Sequence, residues 1–99
     1  MQPIKVLEYL EGLAQRLGIE IVYEKLGDEE SSVRGGLCKV QKTYKIFMAR
    51  SEPVDNQIKI LLRALSFFDT EGIYLLPFIR EILETARKEE KGAGLNRLL

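Results

Sequence analysis

PVDNQIKILLRALSFF, residues 53–68, is the stretch from which the architecture can be inferred. Ile58, Leu61, Leu62, Leu65 and Phe68 recur at the i, i+3, i+4, i+7 spacing of one helix face. Ile60, Ala64 and Phe67 widen that face, leaving a narrow polar stripe of Lys59, Arg63 and Ser66. A helix this apolar is expected to be a core element covered on several sides rather than a surface rod. Pro53 and Asp55 mark its start: the first turn has no use for proline's missing N–H, and a carboxylate there meets the positive end of the helix dipole. Thr70-Glu71-Gly72 breaks the pattern, so the helix should end near Asp69.

Upstream, residues 36–40 and 44–50 read as two strands in a hairpin around residues 41–43. Tyr44, Ile46 and Met48 alternate with Lys45, Phe47 and Ala49, so the later strand is apolar on both faces and belongs at the sheet centre. Gln-Lys is not a pair that favours a tight type I′ turn, which leaves the register open. Residues 19–25 also alternate, with Ile19, Ile21 and Tyr23 opposite Glu20, Val22 and Glu24, as in a strand with one wet face. Residues 3–17 carry Val6, Leu7, Leu10, Leu13, Ala14 and Leu17 at helical spacing. Pro3 suits the first turn, and Gly18 can take the left-handed conformation that stops the helix. So short a break should send the first strand back along that helix.

Downstream, residues 73–76 are a short apolar connection, extended where they meet Pro77. Pro77 opens a last helix with a stripe of Ile79, Ile82, Leu83 and Ala86. Arg80 with Glu84, and Glu84 with Lys88, are expected as i, i+4 pairs on its exposed side. Residues 91–99, which hold Gly92 and Gly94, read as a mobile tail beyond a domain spanning residues 1–90. The order α-β-β-β-α-α predicts a single α+β domain, a small antiparallel sheet with helices packed on one face.

The totals narrow the function. The chain has 99 residues, 45% hydrophobic and 30% charged, the balance of an ordinary globular domain. Fifteen basic residues offset fifteen acidic ones, so no global field draws it to nucleic acid, which is not an expected partner. Lys5, Glu8 and Glu11 interrupt the N-terminal apolar residues, and no run approaches the roughly 18 uncharged residues of a membrane span. A cytoplasmic protein with no membrane partner is therefore expected. There is no histidine and only one cysteine, which excludes a histidine base, a histidine zinc ligand and a Cys-rich zinc site within one chain.

LAQRLGIEIVYEKLG (13–27), then GGLCKV (35–40), then a hydrophobic strand and a helix together resemble the core of the ImmA/IrrE-type zinc-peptidase family. That resemblance covers roughly residues 4–70. The family's motif is HExxH, two histidines one turn apart that bind zinc and a glutamate that activates water. The matching stretch here is Arg63-Ala64-Leu65-Ser66-Phe67, in which arginine and phenylalanine replace the ligands and alanine replaces the base. The resemblance thus implies the family's scaffold without its zinc site, with no catalytic residue, metal or cofactor carried over.

The remaining candidates are weighed on their own residues. Arg34-Gly35-Gly36 offers an anion nest or, better supported, a turn into a strand. Cys38 lacks a base and reads as a buried structural cysteine, with Lys39 on the opposite strand face. Asp28, Glu29, Glu30, Asp69 and Glu71 lack the spacing of a calcium loop and read as solvated acids. Phe67, Phe68, Tyr74, Leu76 and Phe78 form the densest aromatic-aliphatic segment, and one thin sheet cannot cover all of it. Phe67, Phe68, Tyr74 and Phe78 are therefore the expected surface for a protein partner or for self-association. The leading expectation is a non-enzymatic interaction module. The alternative is a ligand-binding protein or a histidine-independent enzyme built from groups such as Arg63 and Asp69, with Tyr23, Tyr44, Tyr74 and Arg50 also available. Arg63 discriminates between them: a pocket joining it to a carboxylate favours the alternative, and full exposure disfavours it.

Overall fold

The structure is a computed structural model that describes residues 1–24 and 36–98, those beyond Glu90 as backbone only. The acidic loop at 27–32 and the start of the Arg34-Gly35-Gly36 stretch lie outside the described residues. The elements are α1 (Pro3–Arg16), β1 (Ile19–Glu24), β2 (Gly36–Val40), β3 (Thr43–Ala49), α2 (Val54–Leu65) and α3 (Pro77–Leu98). This is the expected α+β order. The chain divides into two compact units, Met1–Leu61 and Leu62–Leu99, with the division inside α2.

In the first unit, α1 buries Val6, Leu7, Leu10, Leu13 and Ala14, the apolar face set by their spacing. Its end is closed by the Leu17 and Gly18 amides, which donate to the Leu13, Ala14 and Gln15 carbonyls. Gly18 sits at φ 78°, the left-handed cap that only glycine adopts cheaply. β1 then returns along α1, since the Tyr23 hydroxyl donates to Glu11 Oε2.

The sheet order is β1-β3-β2, with β3 central as its two apolar faces predict. β2 and β3 are antiparallel, but β1 pairs with β3 in parallel, from Ile19↔Tyr44 to Glu24↔Ala49. The sheet is therefore mixed, not antiparallel. Alternation specifies which face a side chain takes and is blind to strand direction, so the parallel pairing could not be read from it. Register puts Ile19, Ile21, Tyr23, Leu37, Tyr44, Ile46 and Met48 on one face, and Ile46 and Met48 are fully buried.

The hairpin closes on Val40↔Thr43 with Gln41-Lys42 as a two-residue loop. Gln41 has φ 58°. A positive φ at the first loop position alone is the pattern of a II′ turn, where glycine is favoured. Beyond β3, Gln57 is the buried polar residue of α2, and its Nε2 donates to the Glu52 carbonyl at 2.8 Å. The Gln57 backbone amide donates to the Pro53 carbonyl at 3.0 Å, so Pro53 lies just outside the helix it initiates.

α2 departs from expectation in two ways. Its buried residues are Gln57, Leu61, Ala64 and Leu65, while Ile58, Ile60 and Leu62 are half-buried, so the helix is covered along one seam and not all round. It also ends at Leu65 rather than near Asp69. The Phe67 and Phe68 amides donate to Ala64 and Leu65, three residues back, and the Ser66 hydroxyl donates to the Arg63 carbonyl at 2.6 Å. That tightened turn spends the last helical carbonyls and lets the chain leave.

In the second unit, Ala64, Leu65, Leu75, Ile79 and Leu83 are buried. α3 begins at Pro77 as predicted but runs to Leu98, so the backbone of 91–98 is helical where a tail was expected. Gly92 and Gly94 each cost about 1 kcal/mol in a helix interior, a penalty that weakens a helix without ending it. The expected pairing of Glu84 is also different: it bonds Arg87 at 3.0 Å, three residues on, rather than Arg80 or Lys88.

Candidate functional site

The connection between α2 and α3 is the most specifically built part of the second unit. It begins with an Asx turn, in which Asp69 Oδ1 accepts from the Glu71 amide at 2.9 Å. A tight turn follows, with the Ile73 amide donating to the Thr70 carbonyl at 3.1 Å and Gly72 at φ 84°. Glycine at the third position with positive φ is the requirement of a type II turn. The Ile73–Leu75 segment that follows carries no strand; Leu75 turns inward and is buried.

Arg87 pins this connection to α3. One guanidinium nitrogen donates to Glu84 Oε1 at 3.0 Å, and the other donates to the Phe68 carbonyl at 2.9 Å and to Thr70 Oγ1 at 3.0 Å. The planar fork of arginine suits three acceptors held at different heights, a geometry lysine cannot copy. The pin sits in a cleft of about 470 Å³ walled by residues 68–73 with Leu75, Arg80, Glu84 and Arg87. Asp69 and Glu71 lie in its wall, where the Asp69 carboxylate caps the loop through the Glu71 amide.

Three of the four aromatic positions named from sequence are open to solvent. Phe67 is 61% exposed, Tyr74 69% and Phe78 45%, and Leu76 beside them is 36% exposed. Phe68 is half-buried and lines the cleft. Phe67 follows Ile60 and Arg63 on the flank of α2, whereas Phe68 follows Leu61, Ala64 and Leu65 on its buried seam and stays partly covered beyond the helix end.

The polar pair expected as an alternative site is not assembled. Arg63 is 61% exposed and its Nε meets Glu90 Oε1 at 3.0 Å, a surface ion pair on the outside of α2. It does not line the cleft that holds Asp69. Arg50 is exposed, its backbone amide donating to the Glu24 carbonyl at 2.8 Å. Tyr44 lies beneath the Lys39 ammonium, 5.3 Å from the ring centre.

Among the described residues Tyr23 is the most perturbed titrating group. Burial pushes its hydroxyl far above the ordinary 10.0, and the hydrogen bond to Glu11 and that carboxylate's charge push the same way. A phenol held protonated above neutral pH is a hydrogen-bond donor rather than a base. Cys38 is exposed, correcting the expectation of a buried cysteine. It lies on the sheet face opposite Ile46, across from Lys45, whose ammonium pairs with Glu20 at 3.3 Å.

Sequence reading missed Arg87, Gln57 and the Tyr23–Glu11 bond. Each joins residues that no periodicity links, and the one available hint was that Gly18 turns the strand carrying Tyr23 back along the helix carrying Glu11. Among the described residues no group of three histidine, cysteine or acidic side chains is placed to hold a metal ion. No helix among them is long and apolar enough to cross a membrane. No family model, curated protein or solved structure matches the chain.

Proposed function

We propose that this protein is a non-enzymatic interaction module that docks a protein partner through the surface formed by Phe67, Tyr74, Leu76 and Phe78. The observation that carries the reading is their concentration: within 12 residues of one another, 67 to 78, lie four of the seven exposed large hydrophobic side chains of the described chain. Scattered exposed apolar residues are normal, whereas clustered aromatic ones are the composition of an interface core. The turn geometry at 66–73 and the Arg87 pin give the segment a defined shape, which lowers the ordering cost of binding. The surface ion pair of Arg63 argues against the histidine-independent enzyme.

The test compares the wild-type chain with a Phe67→Ser, Tyr74→Ser, Phe78→Ser triple variant as baits in the same lysate, alongside light scattering of each alone. A protein or a second copy retained by wild type and lost by the variant supports the reading. Identical capture and identical mass for both chains would sink it.

A further inference from the structure

We infer that the outer edge of β2 pairs with the same edge of a second copy, in antiparallel register centred on Cys38. The argument begins with backbone bookkeeping. The two-residue loop closes on Val40 and Thr43, a pair that exchanges both of its backbone hydrogen bonds. Bonded and non-bonded positions alternate from there, so Gly36, Cys38 and Val40 bond to β3. Leu37 and Lys39 consequently turn their N–H and C=O groups away from the sheet. β2 ends the strand order, and no strand among the described residues lies beyond it.

An open edge is a template for another extended chain, and proteins usually blunt it with a lysine reaching outward. Here the lysine does not reach outward. The Lys39 ammonium lies over the Tyr44 ring of β3, drawn back across its own sheet. Among the described residues nothing takes up the two donors and two acceptors of this outer edge, and its guarding charge is drawn away.

Charge also selects the occupant and the register. The chain has zero formal net charge, so two copies meet without a repulsive field. Pairing Lys39 with Lys39 of a second copy places like charges opposite one another, which is unfavourable. Centring the twofold axis on Cys38 sets each Lys39 against a Leu37 and forms two doubly bonded pairs. Cys38 then faces its own copy at a non-bonded position, with Cα atoms about 4.5 Å apart, inside the range of roughly 4.4–6.8 Å that a disulfide spans. The thiol is already exposed. Five residues of strand make a small interface, so the association is concentration-dependent.

The experiment uses the reduced full chain exposed to the oxidant diamide, which takes two electrons and two protons from a pair of thiols as their S–S bond forms. Wild type is compared with a Cys38→Ser, Val40→Cys variant. Val40 is exposed, as Cys38 is, but opposes Gly36 in this register, so its thiol should cross-link at least about tenfold more slowly. Hydrogen exchange gives a readout independent of the thiol: the Leu37 and Lys39 amides should slow as protein concentration rises, while Cys38, already bonded to β3, does not change. Equal cross-linking of the two chains, or exchange at Leu37 and Lys39 indifferent to concentration, would overturn the inference.

Discussion

Gln41 and Gly72 both occupy positive-φ turn positions, one with a side chain and one without. At Gln41 the Cβ is strained against its own backbone, so Gln41→Gly should stabilise the chain by about 0.5–1 kcal/mol in urea unfolding. Gly72→Ala is the mirror case: a Cβ there meets nothing within 4 Å, yet the φ remains unfavourable, and the expected loss is about 1–2 kcal/mol. A third residue-scale effect concerns Tyr23. Because folding raises its pKa, the folded chain holds the proton more tightly than the unfolded one. The resulting stability is complete below about pH 10 and is lost as pH climbs beyond it. Chemical denaturation should therefore show a steeper alkaline decline for wild type than for Tyr23→Phe; parallel profiles would mean the hydroxyl is not coupled to folding.

At the scale of elements, α2 separates what apolar content says from what burial says. Leu61 and Leu65 are fully buried, and truncating either to alanine should cost about 2–5 kcal/mol. Ile60 and Leu62 are only half-buried, so alanine there should cost less, and a reversed ranking would misplace the seam. The two arginine ion pairs offer a similar contrast. Arg63→Ala removes an exposed pair and should stay within about 0.5 kcal/mol of wild type. Arg87→Ala strips the Phe68 carbonyl and Thr70 of a charged donor and should cost about 1–3 kcal/mol. Thermal unfolding of the two variants side by side checks the prediction. The identity of these elements was legible in periodicity, down to Pro77 opening α3 and β3 lying at the centre. The end of α2 was not: Ser66, Phe67 and Phe68 continue the helical pattern, but a serine hydroxyl and a tight turn compete for the same carbonyls.

For the whole molecule, the proposed docking surface makes a prediction about stability as well as binding. Phe67 and Tyr74 stand mostly in water and Phe78 is nearly half exposed, so the triple serine variant should melt within a few degrees of wild type while losing its partner. A large fall in Tm would mean these rings are core. The expectation of a partner surface at Phe67, Phe68, Tyr74 and Phe78 arose from an excess of apolar residues over what a thin sheet can cover, which is a matter of composition. Which three of the four stand outside is a matter of geometry. By itself the sequence determined the α-β-β-β-α-α order, the faces of the strands and the lack of histidine chemistry, because periodicity and composition are local properties carried by the residues themselves. Only the tertiary structure decided that β1 runs parallel to β3, that Cys38 is exposed, and that Arg87 holds the connection. Those outcomes depend on which distant backbone groups meet, and hydrogen bonds between residues 17 or 19 apart leave no periodic trace.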